Sequence, residues 1–133
     1  MVQEYVVDVS RRCVRVRLSG VLTITALLTT FLDVQRDVRV TPDFRALIDL
    51  RDVRGLDDIR DDDVRTIATW RLDSVGRRAF VAQHPAVLSL CRTFAVLRDL
   101  AEGTEPVAVF RSVSDAEDWL DLPVPSAQQQ LSI

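Results

Sequence analysis

Two β-rich runs open the chain. In residues 13–18, Val14, Val16 and Leu18 alternate with Arg15 and Arg17, the period of a strand with one solvated face. Residues 4–9 form a similar run, and Ser10-Arg11-Arg12 between them predicts a hairpin. Gly20 breaks the alternation, after which Thr23 or Thr25 is placed to cap a helix. The apolar residues of that helix, Leu27, Leu28, Phe31 and Leu32, recur at helical spacing, and it ends before Pro42.

Residues 44–50, FRALIDL, are a short apolar run of the kind found in buried strands. The acidic stretch GLDDIRDDD that follows reads as a loop. Asp61, Asp62 and Asp63 suit a helix N-terminus, where carboxylates meet the positive end of the dipole. Val64, Ile67, Ala68, Leu72 and Val75 then share one side of a helix that Gly76 ends. Residues 77–83 supply another strand through AFVA. Pro85 fits the first turn of a helix running to about Leu100, and residues 106–110 supply the last strand. Ser114 and Glu117 have the spacing of a capping box opening a final helix through Trp119 and Leu120.

The resulting order, β-β-α-β-α-β-α-β-α, predicts an α/β fold. It implies a mainly parallel five-stranded sheet with an antiparallel N-terminal hairpin strand and about four helices. Residues 1–122 form a single domain in this reading, and residues 123–133, which lack periodicity, form a flexible tail.

Length and composition narrow the function. A chain of 133 residues holds one core and is too short for two. No stretch approaches the roughly 20 apolar residues of a membrane-spanning helix, so membrane insertion is not expected. Glu4 and Asp8 interrupt the apolar N-terminus, unlike a signal peptide. The two cysteines, Cys13 and Cys91, sit far apart among apolar neighbours and read as buried free thiols. Both features favour a cytoplasmic address. A net charge of −3 argues against general nucleic-acid binding, which needs concentrated cationic groups to neutralise phosphates. All seventeen basic residues are arginine, and the absence of lysine removes the P-loop and Schiff-base lysine chemistries.

The element order, together with LIDLRDVRGLDD at residues 47–58, resembles the STAS family. That family includes bacterial anti-sigma-factor antagonists and the cytoplasmic tails of anion transporters. In it a buried strand ends in an acidic-apolar pair, here matched by Asp49-Leu50, and an Asp-Ser step opens the next helix, its serine phosphorylated by a partner kinase. Asp57 takes the place of the acidic residue and Asp58 that of the serine. A carboxylate forms no stable phosphoserine-type ester and carries less charge than the roughly −1.5 to −2 of a phosphoserine, so the phosphorylation switch is not expected. The strand GRRAFVA and the closing segment VAVFRSVSDAEDWL resemble small single-domain bacterial proteins of STAS-like, SpoIIAA-like fold.

The densest polar feature is the aspartate cluster, from which Asp57, Asp58, Asp61 and Asp62 are expected to bind a partner at the C-terminal end of a parallel strand, where such sheets bind ligands. A solvated loop with a helix cap is the simpler alternative. No EF-hand spacing accompanies these carboxylates, and no metal or other cofactor is expected. His84, the sole histidine, has no Ser-His-Asp or Cys-His motif around it, so no catalytic residue is expected. Arg51, Arg54 and Arg60 around the acidic stretch, and Arg77 and Arg78, read as ion-pairing residues with an anion site as the alternative. The helix AVLSLCRTFAVLRDL is apolar over more than one stripe. Val87, Leu90, Cys91, Phe94 and Leu97 serve the core, leaving Leu88, Ala95 and Val96 for an interface. Trp70, off the apolar side of its own helix, is a second candidate anchor.

The expected function is therefore a non-catalytic interaction module, a homodimer with a regulatory protein partner. The alternative is a small-molecule or lipid carrier related to CRAL-TRIO domains, which needs an apolar pocket of roughly 300 Å³ or more.

Overall fold

The computed structural model describes residues 2–68, 75–101 and 105–122. Trp70, Leu72 and the tail from Pro123 lie outside the described residues. Strands β1 (Val2–Asp8) and β2 (Cys13–Thr23) form the expected antiparallel hairpin, with Asp8 opposite Cys13 and Val2 opposite Ser19. Its turn places Arg12 in the left-handed region, φ 50°, with the Arg12 N–H donating to the Val9 carbonyl at 3.3 Å.

The chain continues through α1 (Ile24–Arg36), β3 (Arg45–Asp57), α2 (Asp61–Ala68), β4 (Arg78–Val81), α3 (Pro85–Leu100), β5 (Val107–Phe110) and α4 (Val113–Leu120). The sheet order is β1-β2-β3-β4-β5, with every pair after the hairpin parallel. The fold class read from the sequence is the one observed.

Strand alternation divides the core between the two faces of the sheet. Val14, Val16 and Leu18 of β2, Ala46, Ile48 and Leu50 of β3 and Phe80 of β4 pack under α1, α2 and α3. Cys13, Leu47, Ala79 and Val81 point the other way, onto Ala116 and Leu120 of α4. Ala46, Leu47 and Ile48 form an uninterrupted apolar run because β3 is buried on both faces there. Burial also pushes the thiol of Cys13 up to about 11 and that of Cys91 to about 12, since a thiolate loses its hydration there.

Several local readings need correction. Gly20 does not end β2: with φ 91° it sits between two register irregularities that carry the strand on to Thr23, a conformation open to glycine. Thr23, not Thr25, caps α1, its hydroxyl accepting from the Ala26 N–H at 3.1 Å. Ser112 rather than Ser114 caps α4, accepting from the Asp115 N–H at 3.2 Å. Leu32 is 38% exposed, while Thr30 and Val34 join Leu27 against the sheet. Residues 55–57 belong to β3, not to a loop.

Leu88 is a core residue and not an interface residue. Helix α3 packs against α2, β3 and β5 together, so a broader arc of its surface is enclosed than one stripe. Val87, Leu88, Cys91, Phe94 and Arg98 are all buried. The Arg98 guanidinium donates to the Ala68 carbonyl at 3.1 Å, tying α3 to α2. Val96 and Leu100, at 58% and 76% exposure, are the large apolar residues that α3 turns to solvent.

Candidate functional site

The C-terminal pole of the sheet is built by a mismatch of strand lengths. Strand β4 pairs with β3 only through residues 46–49, and β1 leaves β2 at Ser19. Residues 20–23 of β2 and 50–57 of β3 therefore continue as a two-stranded ribbon, with Val21 beside Gly55, Leu22 beside Leu56 and Thr23 beside Asp57. Leu22, Leu50 and Val53 anchor the ribbon in the core, and Arg51, Asp52, Arg54 and Asp57 face solvent.

The chain leaves the ribbon through Asp58, whose φ of 52° is left-handed, a conformation aspartate tolerates better than most residues. Asp58 accepts from Arg60 Nε at 3.3 Å, an ion pair whose side chains are 77% and 79% exposed and so contributes little to stability. Asp63 reaches back to accept from the Arg60 N–H at 2.9 Å, satisfying a free donor at the start of α2. Asp61, Asp62 and Asp63 lie in the first turn of α2, where the helix dipole favours them. The four carboxylates expected to act together, Asp57, Asp58, Asp61 and Asp62, are all exposed along this one short path.

His84 closes the same pole as the N-cap of α3: its Nδ1 accepts from the Ala86 N–H at 3.2 Å. Beside it Gln83 donates to the Arg111 carbonyl at 3.3 Å. Among the described residues no carboxylate is paired with His84, and its ring serves a backbone donor. The described residues contain no group of three histidine, cysteine or acidic side chains placed to hold a metal ion.

The arginines divide. Arg51 makes a two-pronged ion pair with Asp49, at 2.8 and 2.9 Å. It holds the half-buried carboxyl below its ordinary range against the upward push of burial. Arg77 donates to the Trp119 carbonyl at 3.1 Å and lies 5.6 Å from the centre of that ring. Arg78 is buried at 4% exposure.

The solvated face expected for the hairpin is the half of the second sheet face that α4 leaves uncovered over β1 and β2. Arg15 pairs there with Glu117 of α4 and Arg17 with Asp52 at 2.5 Å, around a depression of about 240 Å³. The alternation of Arg15 and Arg17 was the available signal. A cleft between α1 and α2–α3, lined by Leu22, Leu27, Leu50, Ile59, Phe80 and Phe94, is wholly apolar but holds about 30 Å³. That is room for about two waters, far short of what a lipid occupant requires.

No family model and no curated protein matches the chain. Among solved structures it is similar to an uncharacterized protein of the DUF3478 family with a SpoIIAA-like fold from Shewanella loihica. The two share 21% identity over 80% of this chain and 82% of that one, with a TM-score of 0.51. This likeness shows a SpoIIAA-like, STAS fold.

Proposed function

We propose that this chain is a non-catalytic, regulatory interaction module that recognises a basic surface of a partner protein through its acidic pole. The carrying observation is the exposure of Asp57, Asp58, Asp61 and Asp62 along one path at the end of β3, with only Asp58 of the four in an ion pair among the described residues. Carboxylates gathered this way attract a cationic partner and bias the encounter toward this end of the molecule. Sheets of this kind present ligands to the ends of their parallel strands, and the SpoIIAA-like fold supports binding there without a catalytic centre. Asp58 stands where the STAS family carries its phosphorylated serine, so its negative charge is permanent and the module works without a phosphorylation switch. The exposed side of α3 at Val96 and Leu100 offers a separate surface for self-association.

The test is affinity capture from native lysate with mass analysis. Wild-type protein is compared with Asp58→Arg and with the double variant Asp61→Arg, Asp62→Arg, each first shown to retain its circular dichroism and melting transition. A protein captured by the wild type and lost from both folded variants supports the reading. Equal capture by all three removes the acidic pole from the binding surface.

A further inference from the structure

Beyond the level of Asp49, no strand among the described residues pairs with the edge of β3 that β4 occupies lower down: β4 ends at Val81, and its pairing with β3 ends at Asp49. Among the described residues, the backbone–backbone hydrogen bonds outside the regular elements do not involve residues 50–57; Asp52, Val53, Gly55, Leu56 and Asp57 pair with β2, and the Arg51 N–H donates to the Asp49 carboxylate at 3.1 Å. An unpaired strand edge presents a row of N–H and C=O groups to any extended chain that reaches it. Gly55 has open space where a side chain would begin, and no proline stands in β3.

The charge beside the edge selects its occupant. From Leu50 to Asp63, six aspartates face three arginines, leaving an excess of three negative charges next to the free backbone. We propose that the free edge of β3 accepts an extended, arginine- or lysine-rich segment of a partner protein as an added strand. This rests on the interaction reading given above and specifies its mode: backbone hydrogen bonds supply the register, and the carboxylates from Asp52 to Asp62 select basic side chains. Strand addition to an exposed sheet edge is a general means of peptide recognition, with affinity from the main chain and specificity from side chains.

The experiment uses the full chain and three synthetic peptides of about nine residues, long enough to span the edge at about 3.3 Å per residue. One alternates arginine and valine. The second has the same sequence with alternate backbone nitrogens methylated, which keeps the charge and removes donors along one edge of the peptide; it is made in both methylation phases. The third replaces arginine by glutamate. Binding is read by fluorescence anisotropy and the site by amide hydrogen exchange. The arginine peptide is expected to bind and to slow exchange within residues 50–57. The glutamate peptide is expected not to bind, and one methylation phase to bind about tenfold or more weakly, the loss of two or so backbone bonds. Equal binding of both methylated phases and the parent, or protection confined to other elements, overturns strand addition and leaves a charge-only interaction at the pole standing. Absence of binding by the arginine peptide also overturns it, whereas the interaction reading itself falls only with the capture experiment on the Asp58 and Asp61/Asp62 variants.

Discussion

At the scale of single residues, burial separates side chains that the linear pattern treats alike. Leu88 and Val96 lie on the same helix and were both read as facing outward, yet Leu88 is 5% exposed and Val96 58%. Leu88→Ala is expected to lower unfolding stability by about 2–5 kcal/mol, while Val96→Ala stays within about 0.5 kcal/mol, as chemical denaturation will measure. The difference was illegible because the arc that α3 buries is set by α2 and β5, which pack on it from distant parts of the chain. A second residue-scale device joins Tyr5, Asp37 and Arg39. Arg39 binds the Asp37 carboxyl through two side-chain bonds, at 2.7 and 3.0 Å, and through its backbone N–H, and the Tyr5 hydroxyl adds a bond at 2.9 Å. These bonds, led by the Arg39 side chain, hold the carboxyl well below its ordinary range. A carboxyl depressed on folding stabilises the native state above its unfolded pKa, about 3.9, and loses that contribution as pH falls below it. Asp37→Asn is therefore expected to melt below the wild type at pH 7, with the gap narrowing below about pH 4 in thermal scans across pH.

At the scale of elements, the type and order of every strand and helix were legible because each long run carried a clear period. Their ends were not. Ser114 with Glu117 has the right spacing for a capping box, but the helix begins two residues earlier than that cap implies, at Val113, because β5 ends at Phe110 and the connection is short. Ser112→Ala is expected to cost about 1 kcal/mol and Ser114→Ala, an exposed position, less than about 0.5 kcal/mol, measured as shifts of the thermal or urea midpoint. A second misreading, residues 55–57 as loop, has a related cause. Gly55 and Asp57 disfavour strand, yet β2 persists beside them through the irregularities near Gly20, and its backbone partners outweigh local preference. The candidate site inherits this: the four aspartates were visible in sequence, and the ribbon that raises Asp57 and Asp58 above the rest of the sheet was not.

At the scale of the whole molecule, the faces and poles divide the tasks. Three helices enclose one face of the sheet, and α4 seals part of the other. The remainder of that second face is solvated by ion pairs such as Arg17–Asp52. The cleft between the helices is too small for a carried ligand, and His84 is occupied in capping α3. The acidic pole above β4 places exposed carboxylates and the strand edge proposed for partner binding side by side. The most direct test of that account is carboxyl footprinting by carbodiimide and mass spectrometry, performed on the free chain and on its complex with the captured partner. The account predicts that labelling of Asp57, Asp58, Asp61 and Asp62 falls in the complex while that of Asp115 and Asp118, exposed on α4, is unchanged. Labelling at the four pole aspartates that stays the same with the partner bound would contradict it.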